Sequence, residues 1–323
     1  MEKFRYVFGP IPSRRLGMSL GVDLVPHKIC NYDCVFCEVG RTIRTVNVRK
    51  EYIKKDDIMS ELESFFENFS GQQVDHITLT GSGETTLNVK LGEIIKEIKE
   101  KFSYPVAVLT HSGNIYDSQV REELRYADVV CPSLDAATQE VFEKVNRPHP
   151  GIKISEVIEG LRKFREIFEG TMLLEVLLVD GINNTEEELR KIGEVARYIG
   201  PDSVQINTVD RPGAYPEAKP LTHEQLEFAK SIIEKYHPNV VVLSRTYKHL
   251  EKVRFASEEE FVEELMCMIK RRPMTTLDIV ASTGLDFFEV SNVVKKLLES
   301  GKLEEIKLNG NRFYRIPMKS QVL

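Results

Sequence analysis

Short apolar runs and helical stripes take turns from residue 20 to residue 244, and this alternation limits the fold more than any other feature. Strands are predicted over 20–25, 74–80, 105–110, 127–133, 171–179, 203–209 and 240–244. Helices are predicted between them over 56–69, 91–102, 155–168, 185–199 and 222–236. The helix over 56–69 shows the pattern well, with Ile58, Leu62, Phe65, Phe66 and Phe69 forming one stripe. Thr185 with Glu188, and Thr222 with Gln225, read as capping boxes that open two of the helices. Strands separated by helices of this length cannot pair as hairpins, so the sheet is parallel and the class is α/β. Six such units over about 250 residues fit a partial (β/α)6, TIM-like barrel, whose chemistry gathers at the C-terminal ends of the strands. The preceding stretch, residues 7–19, is punctuated by Gly and Pro and reads as a loop.

Past residue 254 the pattern changes to three helices, 258–270, 275–282 and 286–300, and then two short strands, 303–308 and 312–316. Asn309-Gly310 between the strands is a strong hairpin signal. Three helices followed by a hairpin predict a small winged helix-turn-helix. The expected division is therefore a barrel domain over 1–254 and a winged domain over 255–323.

Length agrees with that division, because 323 residues suffice for a barrel and an appendage. No run approaches the 18 or so apolar residues of a membrane span, and the N-terminus lacks a signal-peptide core, so no membrane partner and a cytoplasmic location are expected. Five cysteines, three of them clustered, do not make a secreted disulfide framework. A net charge of −6 excludes a global nucleic-acid footprint and leaves only local basic patches.

The chemistry points to Cys30, Cys34 and Cys37, with three residues and then two between them. Thiolates suit soft metals and iron–sulfur clusters, and such spacings let one loop wrap one cluster. Three cysteines leave one iron of a cubane without a protein ligand, and an open iron can bind a substrate or cofactor. A structural zinc site completed by His27 or another residue is the alternative, although zinc sites mostly use paired C-x2–4-C units.

This spacing, with Phe36 just before the last cysteine, resembles the radical S-adenosylmethionine (radical SAM) superfamily. After the strand over 74–80 comes Gly81-Ser-Gly83-Glu84-Thr-Thr-Leu, which resembles the superfamily's Gly-Gly-Glu element with Ser82 interposed. The resemblance covers residues 10–245. It implies a [4Fe–4S] cluster on the three cysteines and SAM chelated at the open iron. It also implies reductive cleavage to a 5′-deoxyadenosyl radical, with electrons from a flavodoxin- or ferredoxin-type donor. Glu84 would meet the SAM amino group, where a carboxylate can accept charge-assisted hydrogen bonds. Ser112, Ser133 and Asp135 lie where relatives contact the SAM carboxylate and ribose, and Glu175 and Asn207 where they meet ribose or adenine. For each of these a satisfied loop or cap residue is the alternative. Cys131 reads as a buried small hydrophobe. The N-terminal Gly9-Pro-Ile-Pro-Ser-Arg14-Arg15 and the later Asn146-Arg147-Pro-His149-Pro-Gly resemble an "Fe–S oxidoreductase" subgroup grouped loosely with tRNA-wyosine radical SAM synthases.

Two functions follow from different classes. One is a SAM-cleaving enzyme; the other is a redox-sensing regulator whose cluster controls DNA binding by the winged domain. A sensor needs little beyond a cluster loop and an interface, and the long strand–helix region favours the enzyme. The substrate signal is basic: Arg14, Arg15, Arg147 and Arg211, with Arg41, Arg44, Arg49 and Lys50, fall in loops around the predicted mouth. From Arg271 onward there are nine basic against six acidic residues, with Lys295 and Lys296 on the third helix. An anionic substrate is expected, RNA or protein. Winged helices also dock proteins, and a pair such as Arg14-Arg15 is also ordinary solvated surface.

Overall fold

The computed structural model describes residues 4–69, 71–243 and 257–317. Its first unit is an eight-stranded sheet whose order follows the chain. Strands β1 (Val7–Ser13) and β2 (Gly17–Asp23) form an antiparallel hairpin. From β2 onward every neighbour is parallel: β3 (His76–Thr80), β4 (Val106–Thr110), β5 (Val129–Pro132), β6 (Thr171–Leu178), β7 (Ser203–Thr208) and β8 (Val240–Val242). This is a mixed α/β fold with a parallel-dominated sheet.

Helices α1 (Lys55–Asn68), α2 (Leu91–Lys101), α3 (Ser118–Leu124), α4 (Gln139–Val145), α5 (Ile154–Ile167), α6 (Glu186–Ile199) and α7 (His223–Ile233) run between the strands. Their apolar stripes meet the strands in one core: Ile94, Ile95 and Ile98 of α2 are fully buried, as are Ile77 of β3 and Val108 of β4. A buried aliphatic side chain of this kind stabilises by about 1.5–3 kcal/mol, and cutting Ile98 back to Ala would cost about 2–5 kcal/mol through the cavity left behind.

Three features depart from the sequence expectations. Residues 7–13 are a strand and not a loop, because an edge strand tolerates proline and β1 carries a register shift between Phe8 and Ile11. The short helices α3 and α4, seven residues each, were not expected, since they are too short to show a stripe. The box at Thr185 is half made. Thr185 caps the Glu188 backbone, but the buried Glu188 side chain accepts from Ala137 N, Thr138 N and Thr138 Oγ1 instead. Glu188 thus ties α6 to the loop after β5. The box at Thr222 and Gln225 is complete.

The second unit comprises α8 (Glu258–Arg271), α9 (Thr276–Thr283), α10 (Phe287–Glu299) and the hairpin β9 (Glu304–Leu308) and β10 (Asn311–Arg315). Asn309 and Gly310 both have positive φ, 48° and 76°, as a two-residue hairpin turn requires. Phe261, Leu265, Ile269, Val290 and Leu297 make a separate apolar cluster. The expected boundary at 254–255, and Ser244 at the end of the last predicted strand, lie outside the described residues. This unit seats on the first through Arg271, 3.2 Å from Asp23 and stacked 4.2 Å over Phe8, and through Asp278, 3.6 Å from Arg211. Among the described residues no helix is long and apolar enough to cross a membrane.

Candidate active site

The segment carrying Cys30, Cys34 and Cys37 follows β2 and has almost no regular structure, so its backbone groups need partners elsewhere. The Val145–His149 stretch supplies many of them. Asp33 N donates to Asn146 O at 3.1 Å, Val35 N to Val145 O at 2.9 Å, and His149 N to Asn31 O at 2.7 Å. Tyr32 and Pro148 form a β-bridge. Arg147 takes a left-handed backbone, φ 47°, in this turn.

On the other side the Gly81–Glu84 loop docks against the same segment. Glu84 N donates to Ile29 O at 2.9 Å, and Lys28 N to Ser82 O at 2.7 Å. A Cβ on Gly83 would stand 1.9 Å from Ile29 O, so only glycine allows the two loops to approach this closely. Gly81 is less constrained, since its Cβ would meet the movable Val25 side chain at 2.7 Å.

Each cysteine sulfur faces at least one donor. Cys30 Sγ receives Tyr32 N at 3.4 Å and lies 3.3 Å from His111 Nε2. Asn146 Nδ2 donates to Cys34 Sγ at 3.4 Å, and Lys28 Nζ to Cys37 Sγ at 3.2 Å. Burial pushes the Cys30 thiol up to about 12 and raises Cys34 well above its ordinary value. Metal binding would require both thiols to be deprotonated.

Glu84 is 1% exposed, and both its oxygens are engaged. Oε1 accepts from Thr86 N at 3.0 Å, Thr86 Oγ1 at 2.5 Å and Thr110 Oγ1 at 2.5 Å. Oε2 accepts from His111 N at 3.0 Å and faces His111 Nε2 at 3.2 Å. His111 is stacked on Tyr32 at 3.8 Å, and burial holds its pKa below the usual value. Its Nδ1 accepts from Gly113 N at 3.1 Å, which leaves the proton of the neutral ring on Nε2.

The other expected residues divide. Ser112 has a left-handed backbone, φ 68°, and is buried with its Oγ unpartnered; Tyr32 OH, Asn31 Oδ1 and Asn146 Oδ1 are buried and unpartnered as well. Ser133 and Asp135 line a small recess with Tyr32, His111 and Asn146. Burial pushes Asp135 up to about 7, although its carboxylate accepts from Asn146 Nδ2 at 2.7 Å and Leu177 N at 2.9 Å. Phe36 lies half-buried beside the core, with its backbone against Gly213.

Glu175 and Asn207, expected toward ribose or adenine, bond to each other at 3.0 Å and to the arginine pair. Arg15 is ion-paired to Glu175, and Arg14 NH1 reaches Asp210 at 2.6 Å and Asn207 Oδ1 at 3.1 Å. The two arginines therefore face inward and are not solvated surface. Cys131 is buried, as expected, and lies beside Arg15, with burial raising its thiol to about 11.

The remaining basic residues are also largely engaged. Arg147 stacks over Tyr215 and pairs with Glu217 at 2.7 Å. Arg211 is mostly buried between Glu38 and Asp278, at 3.5 and 3.6 Å. Arg41 stacks on the other contact of Tyr215 at 4.3 Å, Arg49 pairs with Glu123, and Lys50 lies over Tyr52. Arg44 is exposed. Lys28, Tyr32, Thr86, Thr110 and Asn146 were not singled out from sequence. Two of them had a signal, Thr86 in the Gly-Ser-Gly-Glu-Thr-Thr-Leu run and Asn146 in the Asn-Arg-Pro-His-Pro-Gly run.

The model of the radical SAM superfamily matches residues 24–194, more than half of the chain. The chain belongs to the radical SAM superfamily. It is 29% identical to a UPF0026 protein of Methanocaldococcus jannaschii over 97% of both chains. It is 32% identical to a UPF0026 protein of Helicobacter pylori (strain J99), over 85% of this chain and 86% of that one. It is also 36% identical to a Brachyspira hyodysenteriae protein named GTPase Obg, over 97% of this chain, but it spans only 45% of that protein's length. Among solved structures, a radical SAM methyltransferase from Sphaerobacter thermophilus superposes with a TM-score of 0.52 at 16% identity, covering 69% of this chain and 66% of that one. Streptococcus suis SuiB bound to S-adenosylmethionine does so at 0.52 and 14%, covering 70% and 51%. Both share the fold.

Members of this superfamily bind a [4Fe–4S] cluster and S-adenosylmethionine, and its enzymes generally need an electron donor. The donor set fits the cluster, with three sulfurs on one loop, each facing an N–H. Among the described residues no three His, Cys, Asp or Glu converge on a single-ion site. The cysteines of a cubane ligate separate irons and need no such convergence.

Proposed function

We propose that Cys30, Cys34 and Cys37 hold the cluster and that the Gly83–Glu84 loop, with Ser112, Ser133 and Asp135, receives SAM at its open iron. The observation that carries this reading is the docking of the Gly-Glu loop on the cysteine segment through Ile29, with His111 bridging Glu84 and Cys30. When bound, the cluster and SAM would supply one-electron radical chemistry for abstracting hydrogen from the substrate. The chain's own residues position SAM and keep water out. Because both Glu84 oxygens are engaged, a SAM ammonium would share or replace one of its present donors, with the His111 Nε2–H the most readily released. The electron donor we infer is a flavodoxin or ferredoxin type. The test is anaerobic reconstitution with iron and sulfide, then SAM and dithionite. 5′-Deoxyadenosine is expected, and its absence from protein holding an intact four-iron cluster would contradict the reading.

For the substrate we propose an anionic molecule, with structured RNA as the macromolecular candidate. The likeness of the Arg14-Arg15 and Asn146–Gly151 motifs to the wyosine-synthase neighbourhood supports this. The order of α8, α9, α10 and the β9–β10 hairpin supports reading residues 255–323 as a winged helix-turn-helix domain. That unit lines a small cleft with the cysteine segment, its Ile269, Lys270 and Arg315 sharing the lining with Glu38–Gly40. Its charge is largely compensated: Lys296 pairs with Glu258 at 2.6 Å, and Lys295 with Glu299 at 3.9 Å. Binding to bulk tRNA should therefore be weak and depend on salt through only a few phosphates. Absence of binding at low salt would remove RNA and leave a protein substrate.

A further inference from the structure

Lys28 is the one cation among the described residues that donates to a cluster-loop sulfur. Its backbone sits in the left-handed region, φ 61°, and its N–H is fixed to Ser82 O. From there the side chain crosses the loop, so that Nζ lies 3.2 Å from Cys37 Sγ and 2.6 Å from Gly40 O. Cys30 and Cys34 receive only neutral donors, from Tyr32, His111 and Asn146. The Glu84 carboxylate lies on the Cys30 side, so the ammonium and the carboxylate flank the cysteine loop at different sulfurs.

A cation in this position acts differently on the two oxidation states of a cluster. Reduction adds one negative charge, spread over irons and sulfurs, and a partly buried ammonium at hydrogen-bond distance stabilises the more negative state. Neutral donors at the other two sulfurs do this more weakly. We propose that Lys28 sets the reduction potential of the cluster, making it reducible by the external one-electron donor. This rests on the assignment of the cluster to Cys30, Cys34 and Cys37. Lys28 does not touch the reacting atoms of SAM in this role, so it is a positioning and tuning residue and not a catalytic one.

The test compares wild type, Lys28→Met, Lys28→Gln and Lys28→Arg, each reconstituted anaerobically and assayed for iron and sulfide. The cluster's potential is then measured by redox titration followed by electron paramagnetic resonance, without SAM. Met removes charge and donor, Gln keeps a neutral donor, and Arg keeps the charge. Met should lower the one-electron reduction equilibrium at least tenfold, a shift of about 59 mV to more negative potential. Gln should fall part of the way, and Arg should stay near wild type. Wild-type potentials in both Met and Gln would overturn the proposal. So would failure of Met and Gln to hold a cluster, which would assign Lys28 to loop assembly. A wild type without a four-iron cluster would instead overturn the cysteine assignment, and this proposal with it.

Discussion

Cys30 Sγ and His111 Nε2 stand 3.3 Å apart, and the same nitrogen faces Glu84 Oε2 at 3.2 Å. With Nδ1 occupied by Gly113 N, one N–H serves a cluster-loop sulfur and the carboxylate of the Gly-Glu loop together. His111→Phe would keep the stack on Tyr32 and delete that N–H. We expect a loss of about 1–3 kcal/mol in stability, because a buried acceptor loses a partner. Urea unfolding of the metal-free protein measures it, and an unchanged midpoint would show that the contact carries no weight.

Glu84 is tied to its own chain, and the proposed function also gives it the SAM ammonium. Glu84→Gln replaces one carboxylate oxygen with an amide that faces donors, so we expect both lower stability and weaker SAM binding. The binding loss should be about tenfold to a hundredfold, matching about 1.5–3 kcal/mol for a charge-assisted hydrogen bond. Equilibrium binding of SAM to the reconstituted variant is the measurement. Wild-type affinity would show that the carboxylate does not contact SAM.

Gly83→Ala places a methyl group against backbone at 1.9 Å, and backbone cannot move aside as a side chain can. The cysteine segment and the Gly-Glu loop should separate. The expected outcome is a variant that folds less stably and binds little iron, read by thermal unfolding and iron content. Full cluster loading in this variant would mean that the two loops need not touch.

Asp135 gives a pH dependence with a definite sign. Burial raises its folded pKa to about 7 from an ordinary 3.8, so its contribution is most favourable below pH 4 and is lost as pH rises toward 7. The span is on the order of 4 kcal/mol at most. Asp135→Asn should flatten the stability of the metal-free protein between pH 4 and 7. Parallel pH profiles of urea midpoints for wild type and variant would contradict this.

Much of the fold was legible because parallel strands buried on both faces and amphipathic helices leave strong periodic signals. β2 to β8 and α5 follow them closely. β1 was hidden by its glycine and prolines, which an edge strand accommodates. α3 and α4 were hidden by their shortness. In the site, the cysteines and Gly83 could be read because the chemistry demands those residue types at that spacing. Thr110 could not, because it reaches Glu84 through a tertiary contact 26 residues distant, and Asn146 showed only as part of a motif and not as the donor that meets Cys34 from 112 residues away. Glu188 misled because its side chain found a better use, in the loop after β5, than closing its own helix cap.

The central claim is that one iron of the cluster held by Cys30, Cys34 and Cys37 is open to SAM beside the Gly-Glu loop. The most direct measurement is the electron paramagnetic resonance spectrum of the dithionite-reduced, reconstituted protein before and after SAM is added. The account predicts that SAM changes the spectrum saturably in wild type, and that Cys30→Ala, Cys34→Ala and Cys37→Ala show no such response. A four-iron signal in wild type that SAM leaves unchanged would contradict it.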